Sequence, residues 1–198
     1  MLREVVWLTQ VHGRAVLDVP PPDRDAGPVA PVARHAGEGD ALVATDPASA
    51  VAVLTADCAP VALGSPEGVF AAVHVGWRGL LAGVVEAAVG RMRELGALEV
   101  VGALGPCIHA DCYEFDGVGL DQLVAVFGAG VRSRTRTGRP ALDLPAAVAA
   151  ALDATGAAQI PADGACTGCA SGYYSHRARG DHGRQAMVVW ADGDDPGR

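Results

Sequence analysis

Lysine is absent from the 198-residue chain, so all fifteen cationic side chains are arginine. That inventory excludes Schiff-base catalysis and any phosphate loop built on a lysine, and it leaves arginine or backbone as the only anion clamps. Abundant Ala, Gly, Val and Pro accompany the missing lysine, which reads as compositional bias before it reads as function. No stretch approaches the roughly 20 uninterrupted apolar residues of a membrane span. MLREVVWLTQ also lacks a basic region followed by a long apolar run, so the expectation is a soluble, cytoplasmic protein with no membrane partner. Charge is sparse, at 19% of residues, while 50% are apolar, a balance that favours collapse around a core. The net charge of -8 works against a broad phosphate-binding surface, so nucleic acid is not an expected partner. Five cysteines cannot pair completely, which points to thiols or metal ligands instead of a disulfide framework.

Short apolar runs at residues 4–8, 51–55, 69–75, 98–104 and 186–190 have the length and branching of buried strands. Three- and four-residue apolar spacing predicts one helix over about 79–95, ended by Gly96, and others over 120–127 and 145–152. Residues 19–39 and the arginine-bearing SRTRTGRP at 133–140 read as surface loops, and SHRARGDHGRQ as a turn-rich loop able to cover a pocket. The tail 193–198 reads as flexible. Strands mixed with helices, without regular alternation, predict an α/β or α+β sandwich.

Three strand ends carry soft or borderline donors: His12 in QVHG, Cys58 in TADC and His74 in HVGWRG. Neutral imidazole and thiolate suit zinc, and three protein ligands leave a coordination position for water or substrate. Asp57 precedes Cys58 and, if buried, requires a partner; it is the candidate for proton transfer. Arg78 beside His74 is the candidate anion holder, with Arg177 and Arg184 as further phosphate candidates. Alone, each of these residues has a bland alternative: a satisfied polar side chain, a small buried thiol, a surface arginine. Cys107, His109 and Cys112 cluster in one segment and Cys166 with Cys169 form a CTGC pair; buried thiols rank above a second metal site for these.

In order along the chain, VVWLTQVHG, GDALVATD, TADCAPV, HVGWRG, LGPCI with CYEFD, and YYSHR with GRQAMVVW resemble the YfiH-like laccase-domain family. Its members carry the names polyphenol oxidase and purine nucleoside phosphorylase. The resemblance implies a single domain over residues 1–192, an α/β sandwich of two related subdomains similar to a cytotoxic-factor-type cysteine hydrolase core. It implies zinc on His12, Cys58 and His74, with copper as the older assignment. The implied substrates are purine nucleosides and phosphate: adenosine, inosine or methylthioadenosine is split by phosphorolysis, with adenosine deamination as a side reaction. Copper-dependent phenol oxidation and a metal-free cysteine hydrolase, with Cys58 as nucleophile and His74 as base, are the alternatives. Family members carry a longer segment before the QVHG strand, so part of that segment is expected to be missing here.

Overall fold

The structure is a computed structural model, and it describes residues 4–22, 33–161 and 164–192. Twelve strands and five α-helices are present among these residues. A four-stranded sheet is built from β1 (Glu4–Gln10), β3 (Ala33–Gly39), β5 (Ser49–Thr55) and β12 (Gln185–Val189), in the order β12-β5-β1-β3. A six-stranded sheet takes β2 (Val16–Val19), β4 (Ala41–Ala44), β6 (Ala59–Gly64), β7 (Phe70–Val75), β8 (Val101–Leu104) and β11 (Ala158–Ile160), in the order β11-β8-β6-β7-β4-β2.

Period-two alternation decides how the layers stack. Along β4 and β7, Leu42, Ala44, Phe70 and Ala72 face one way and meet Val6, Leu8, Val51 and Val53 of the smaller sheet. Ala41, Val43, Ala71, Val73 and Val75 face the other way and pack under helices α2 (Val84–Glu94) and α4 (Leu144–Thr155). The result is sheet on sheet with helices on the outer face of the larger one, the mixed α/β sandwich expected from the sequence. Strands buried on both faces become continuous apolar runs, which is why β5 and β7 were readable.

All five expected strand runs are strands, each within a few residues of its expected bounds. The helix expected over 79–95 is instead two, α1 (Trp77–Ala82) and α2, broken where Gly83 adopts φ 81°. Apolar periodicity continues through the break because both helices bury the same side. α3 (Val118–Phe127) and α4 match expectation, and α4 is capped by Asp143, whose side chain accepts from the Ala146 N–H at 3.0 Å. The loop expected at 133–140 is a hairpin of β9 (Arg132–Arg134) and β10 (Pro140–Leu142). Of the loop expected at 19–39, residues 33–39 form β3, a polar strand at the sheet edge, and residues 23–32 lie outside the described set, as does the 193–198 tail. His176–Arg179 forms a single helical turn, α5. Among the described residues no helix is long and apolar enough to cross a membrane.

The chain passes from the small sheet to the large one three times, at residues 11–15, at 40 alone, and at 56–58. β1, β3 and β5 run parallel, and β2, β4 and β6 share one direction with β7 opposed, so all three crossings and the C-terminal end of β7 fall on one edge.

The break at Gly83 gives a stability test. Gly83→Ala places a Cβ on left-handed backbone and should cost about 1 kcal/mol, read as a lowered denaturation midpoint with unchanged m-value.

Candidate metal centre and cleft

The three sheet crossings deliver His12, Asp40 and Asp57-Cys58 to the same edge that receives His74 from the end of β7. Two of these residues, His12 (φ 59°) and Asp57 (φ 101°), are the non-glycine positions with left-handed backbone among the described residues. Such conformations persist only where surroundings enforce them. For His12 the enforcement is Asp40, whose Oδ1 accepts from the His12 N–H at 2.9 Å and whose Oδ2 accepts from the Gly13 N–H at 2.6 Å. For Asp57 it is a full set of donors: Thr167 Oγ1 at 2.7 Å and Ser175 Oγ at 2.6 Å on Oδ1, and the Arg177 N–H at 2.6 Å on Oδ2.

Ligand atoms of His12, Cys58 and His74 lie within 4.8 Å of one another. His12 Nε2 is 3.9 Å from Cys58 Sγ, and the two imidazoles meet edge to face with centroids 4.8 Å apart. The three strand-end donors thus converge, as the sequence suggested. Gly76 permits it: a Cβ there would sit 3.0 Å from His12 Cδ2 and 3.2 Å from Cys58 Sγ. A nitrogen, nitrogen and sulfur donor set with one exposed side fits a borderline-soft cation such as zinc, and it fits copper as well.

Asp40 is the residue that sequence reasoning passed over. It is fully buried, and its Oδ1 stands 2.8 Å from His74 Nδ1. That contact fixes the ring and leaves Nε2 for the shared site, the arrangement by which carboxylates orient metal-binding histidines. The signal was a lone acid at the start of the apolar run in GDALVA. Burial alone would raise the Asp40 carboxyl, yet its bonds with His74 and the two backbone N–H groups bring it below the usual range. Burial pulls His74 down, but Asp40 and Cys58 outweigh it and lift the imidazole to about 9. Burial likewise pushes the Cys58 thiol up, and its bonds with His12 and His74 reverse this, to about 6.

A cleft of about 660 Å³ opens over these groups. Asp57, Cys58, His74 and Arg78, the four residues expected to carry chemistry, all line it, together with His12, Trp77 and Tyr113. Arg177 and Arg184, read from the sequence as pocket covers, line it too; His182 does not. Arg78 stacks on the neighbouring Trp77 ring at 4.4 Å and Arg177 lies over Tyr113 at 5.1 Å, and among the described residues neither pairs with a carboxylate. Arg184 is turned back on its own loop, donating to the carbonyls of Asp181, His182 and Gly183.

Residues 1–192 match the model of the multi-copper polyphenol oxidoreductase laccase family. The chain belongs to this family. Similar curated relatives are purine nucleoside phosphorylase SCO2081 of Streptomyces coelicolor, 42% identical over 95% of this chain and 75% of that one, and purine nucleoside phosphorylase Rv2149c of Mycobacterium tuberculosis, 36% identical over 95% and 72%. Among solved structures, Neisseria meningitidis NMB0706 superposes with a TM-score of 0.80 at 28% identity, covering 96% of this chain and 76% of that one. Geobacillus stearothermophilus YlmD gives 0.76 at 29% identity, covering 96% and 74%. This laccase-family chain thus shares its fold with those two solved structures and its sequence with proteins named as purine nucleoside phosphorylases.

The buried pair yields two expectations. Without metal, the His74 contribution to stability is complete below its ordinary 6.5 and lost as pH rises through about 9; that of Cys58 is complete above 9.0 and lost as pH falls through about 6. Both are charged together only between about 6 and about 9, so alkylation of Cys58 in metal-free protein should rise with a midpoint near pH 6. Asp40→Asn removes the support for imidazolium, so that midpoint should move upward; the variant should also lose roughly 3 kcal/mol of stability, read by denaturant titration.

Proposed function

We propose that this laccase-family chain is a zinc-dependent purine nucleoside phosphorylase, splitting adenosine, inosine or methylthioadenosine with phosphate into base and ribose 1-phosphate. One observation carries the reading: the His12, Cys58 and His74 donors share a cleft with two arginines, Arg78 and Arg177, that among the described residues pair with no carboxylate and rest on aromatic rings. The names of the relatives point the same way. In this reading His12, Cys58 and His74 hold zinc, which supplies Lewis acidity toward a substrate oxygen when bound.

The chain's own residues account for the remainder. Arg78 and Arg177 bind phosphate through planar guanidinium forks and orient one of its oxygens toward the ribose C1′. The rings of Trp77 and Tyr113 give the purine an apolar wall. As the phosphate oxygen bonds to C1′, the C1′–N9 bond breaks, its electrons pass to the purine, and a proton restores the neutral base. Asp57 is the candidate for handling that proton, although three donors already hold its carboxylate and set the Cys58 backbone. Deamination of adenosine uses the same cleft with water as the nucleophile, and is the side reaction.

A metal-free cysteine hydrolase is the second reading, favoured by the Cys58 thiol brought down to about 6 beside an imidazole raised to about 9. Copper-dependent phenol oxidation, the activity in the family's description, ranks below both. Mounting several coppers takes many histidines, and among the described residues one cluster of three or more ligands contains histidine.

Product analysis separates these. With phosphate, adenosine or inosine should give free base and ribose 1-phosphate; inosine from adenosine, independent of phosphate, would assign deamination instead. Cys58→Ala should lose both turnover and the zinc held with His12 and His74, and Arg78→Ala should raise the KM for phosphate at least tenfold while leaving zinc in place. Turnover that survives complete chelation and is lost by Cys58 alkylation would replace this reading with the hydrolase.

A further inference from the structure

The four cysteines outside the cleft were expected to be buried thiols, and only Cys107 is one: it is fully buried, and burial pushes its thiol far above the usual range. Cys112, Cys166 and Cys169 are partly or fully exposed, and their sulfur atoms lie within 4.8 Å of one another. They arrive from two distant segments, the 3-10 turn Ala110–Cys112 and the CTGC turn. We propose that Cys112, Cys166 and Cys169 form a second metal site, distinct from the cleft, that takes zinc and fastens the CTGC turn to the Cys112 segment.

Three observations carry the assignment. First, the three sulfurs are close enough to share a cation: zinc–thiolate bonds of about 2.3 Å put tetrahedral sulfurs roughly 3.8 Å apart, within the 4.8 Å that encloses all three, and the Cys112–Cys169 pair, now at 2.8 Å, opens by about 1 Å to reach it. Second, the surroundings are built for negative sulfur. The His109 N–H donates to Cys166 Sγ at 3.3 Å, and the Arg136 guanidinium donates to Cys169 Sγ at 3.2 Å while also holding Asp111. Three thiolates cannot coexist there unless a cation compensates them.

Third, the backbone is shaped for this approach. A Cβ on Gly168 would lie 2.7 Å from Cys112 Cβ and 3.2 Å from its Sγ, so the residue within the CTGC turn that faces Cys112 has no room for a side chain. A single disulfide would use two of the three sulfurs and leave the third with its donors unexplained. The site also bears on the cleft, because Thr167, between Cys166 and Cys169, donates to Asp57. Zinc at the turn would hold Thr167 against the residue that sets the Cys58 backbone.

The test is metal stoichiometry of intact protein, purified with a phosphine reductant, equilibrated with zinc and freed of excess. Wild type should hold two equivalents, Cys58→Ala one, and the Cys112→Ser/Cys169→Ser pair one, with its melting temperature lowered. Should the double variant not fold, cobalt substitution of Cys58→Ala reads the site directly, since thiolate-to-cobalt charge-transfer bands should persist without Cys58 and disappear with zinc competition. Zinc content that falls to none in Cys58→Ala, without cobalt–thiolate bands, overturns the proposal. So does an intact mass lower by two hydrogens with Cys112 and Cys169 linked in a peptide map. Because the readout is metal bound without Cys58, failure here leaves the phosphorylase reading untouched, and failure of turnover leaves this site untouched.

Discussion

The Asp40 carboxylate is the contact on which the site rests. It lies at the one residue separating a strand of the small sheet from a strand of the large one, with no exposure to solvent. A carboxylate in that position requires full compensation, and it takes it from three groups that must converge: the His74 ring and the N–H groups of His12 and Gly13. Meeting that requirement bends the 11–15 connection into the left-handed conformation of His12 and turns His74 so that its free nitrogen faces Cys58. The seam between two sheets and the orientation of two candidate ligands are therefore a single electrostatic solution.

Asp57 performs the matching task at the next crossing. Its oxygens gather Thr167, Ser175 and the Arg177 N–H from segments more than a hundred residues away, and its own carbonyl accepts from the Ile108 N–H at 2.9 Å. The C-terminal third of the chain is thereby drawn over the strand ends, which carries Arg177 to the cleft and ties the CTGC turn to Asp57 through Thr167. Two buried acids, Asp40 held by two backbone N–H groups and an imidazole and Asp57 by one backbone N–H and two hydroxyls, organise what the hydrophobic layers only bring near. The apolar layers account for the sandwich itself, since they bury Leu42, Phe70 and their partners between the sheets and leave the strand ends polar.

Much of this was legible in the residues. Continuous apolar runs marked β1, β5, β7, β8 and β12, and polar donors at the ends of three such runs marked His12, Cys58 and His74, each with a bland alternative alone and pointing to a metal only when taken together. Other elements were hidden for physical causes. β3 reads as loop because an edge strand exposes one side and carries Arg34, His35 and Glu38. The helix break at Gly83 was masked because an apolar stripe continues across a left-handed residue when both flanking helices face the same core.

By itself, the sequence determined the mixed sandwich, the exclusion of lysine chemistry, and the three donors at strand ends, since period and composition act locally. Tertiary structure alone decided that those ends share an edge, that Asp40 and Asp57 gather distant segments around their carboxylates, and that Cys112 meets Cys166 and Cys169. Those outcomes depend on strand order and direction and on contacts between segments far apart in the chain. Local periodicity carries no record of such distances; only the folded arrangement of the two sheets does.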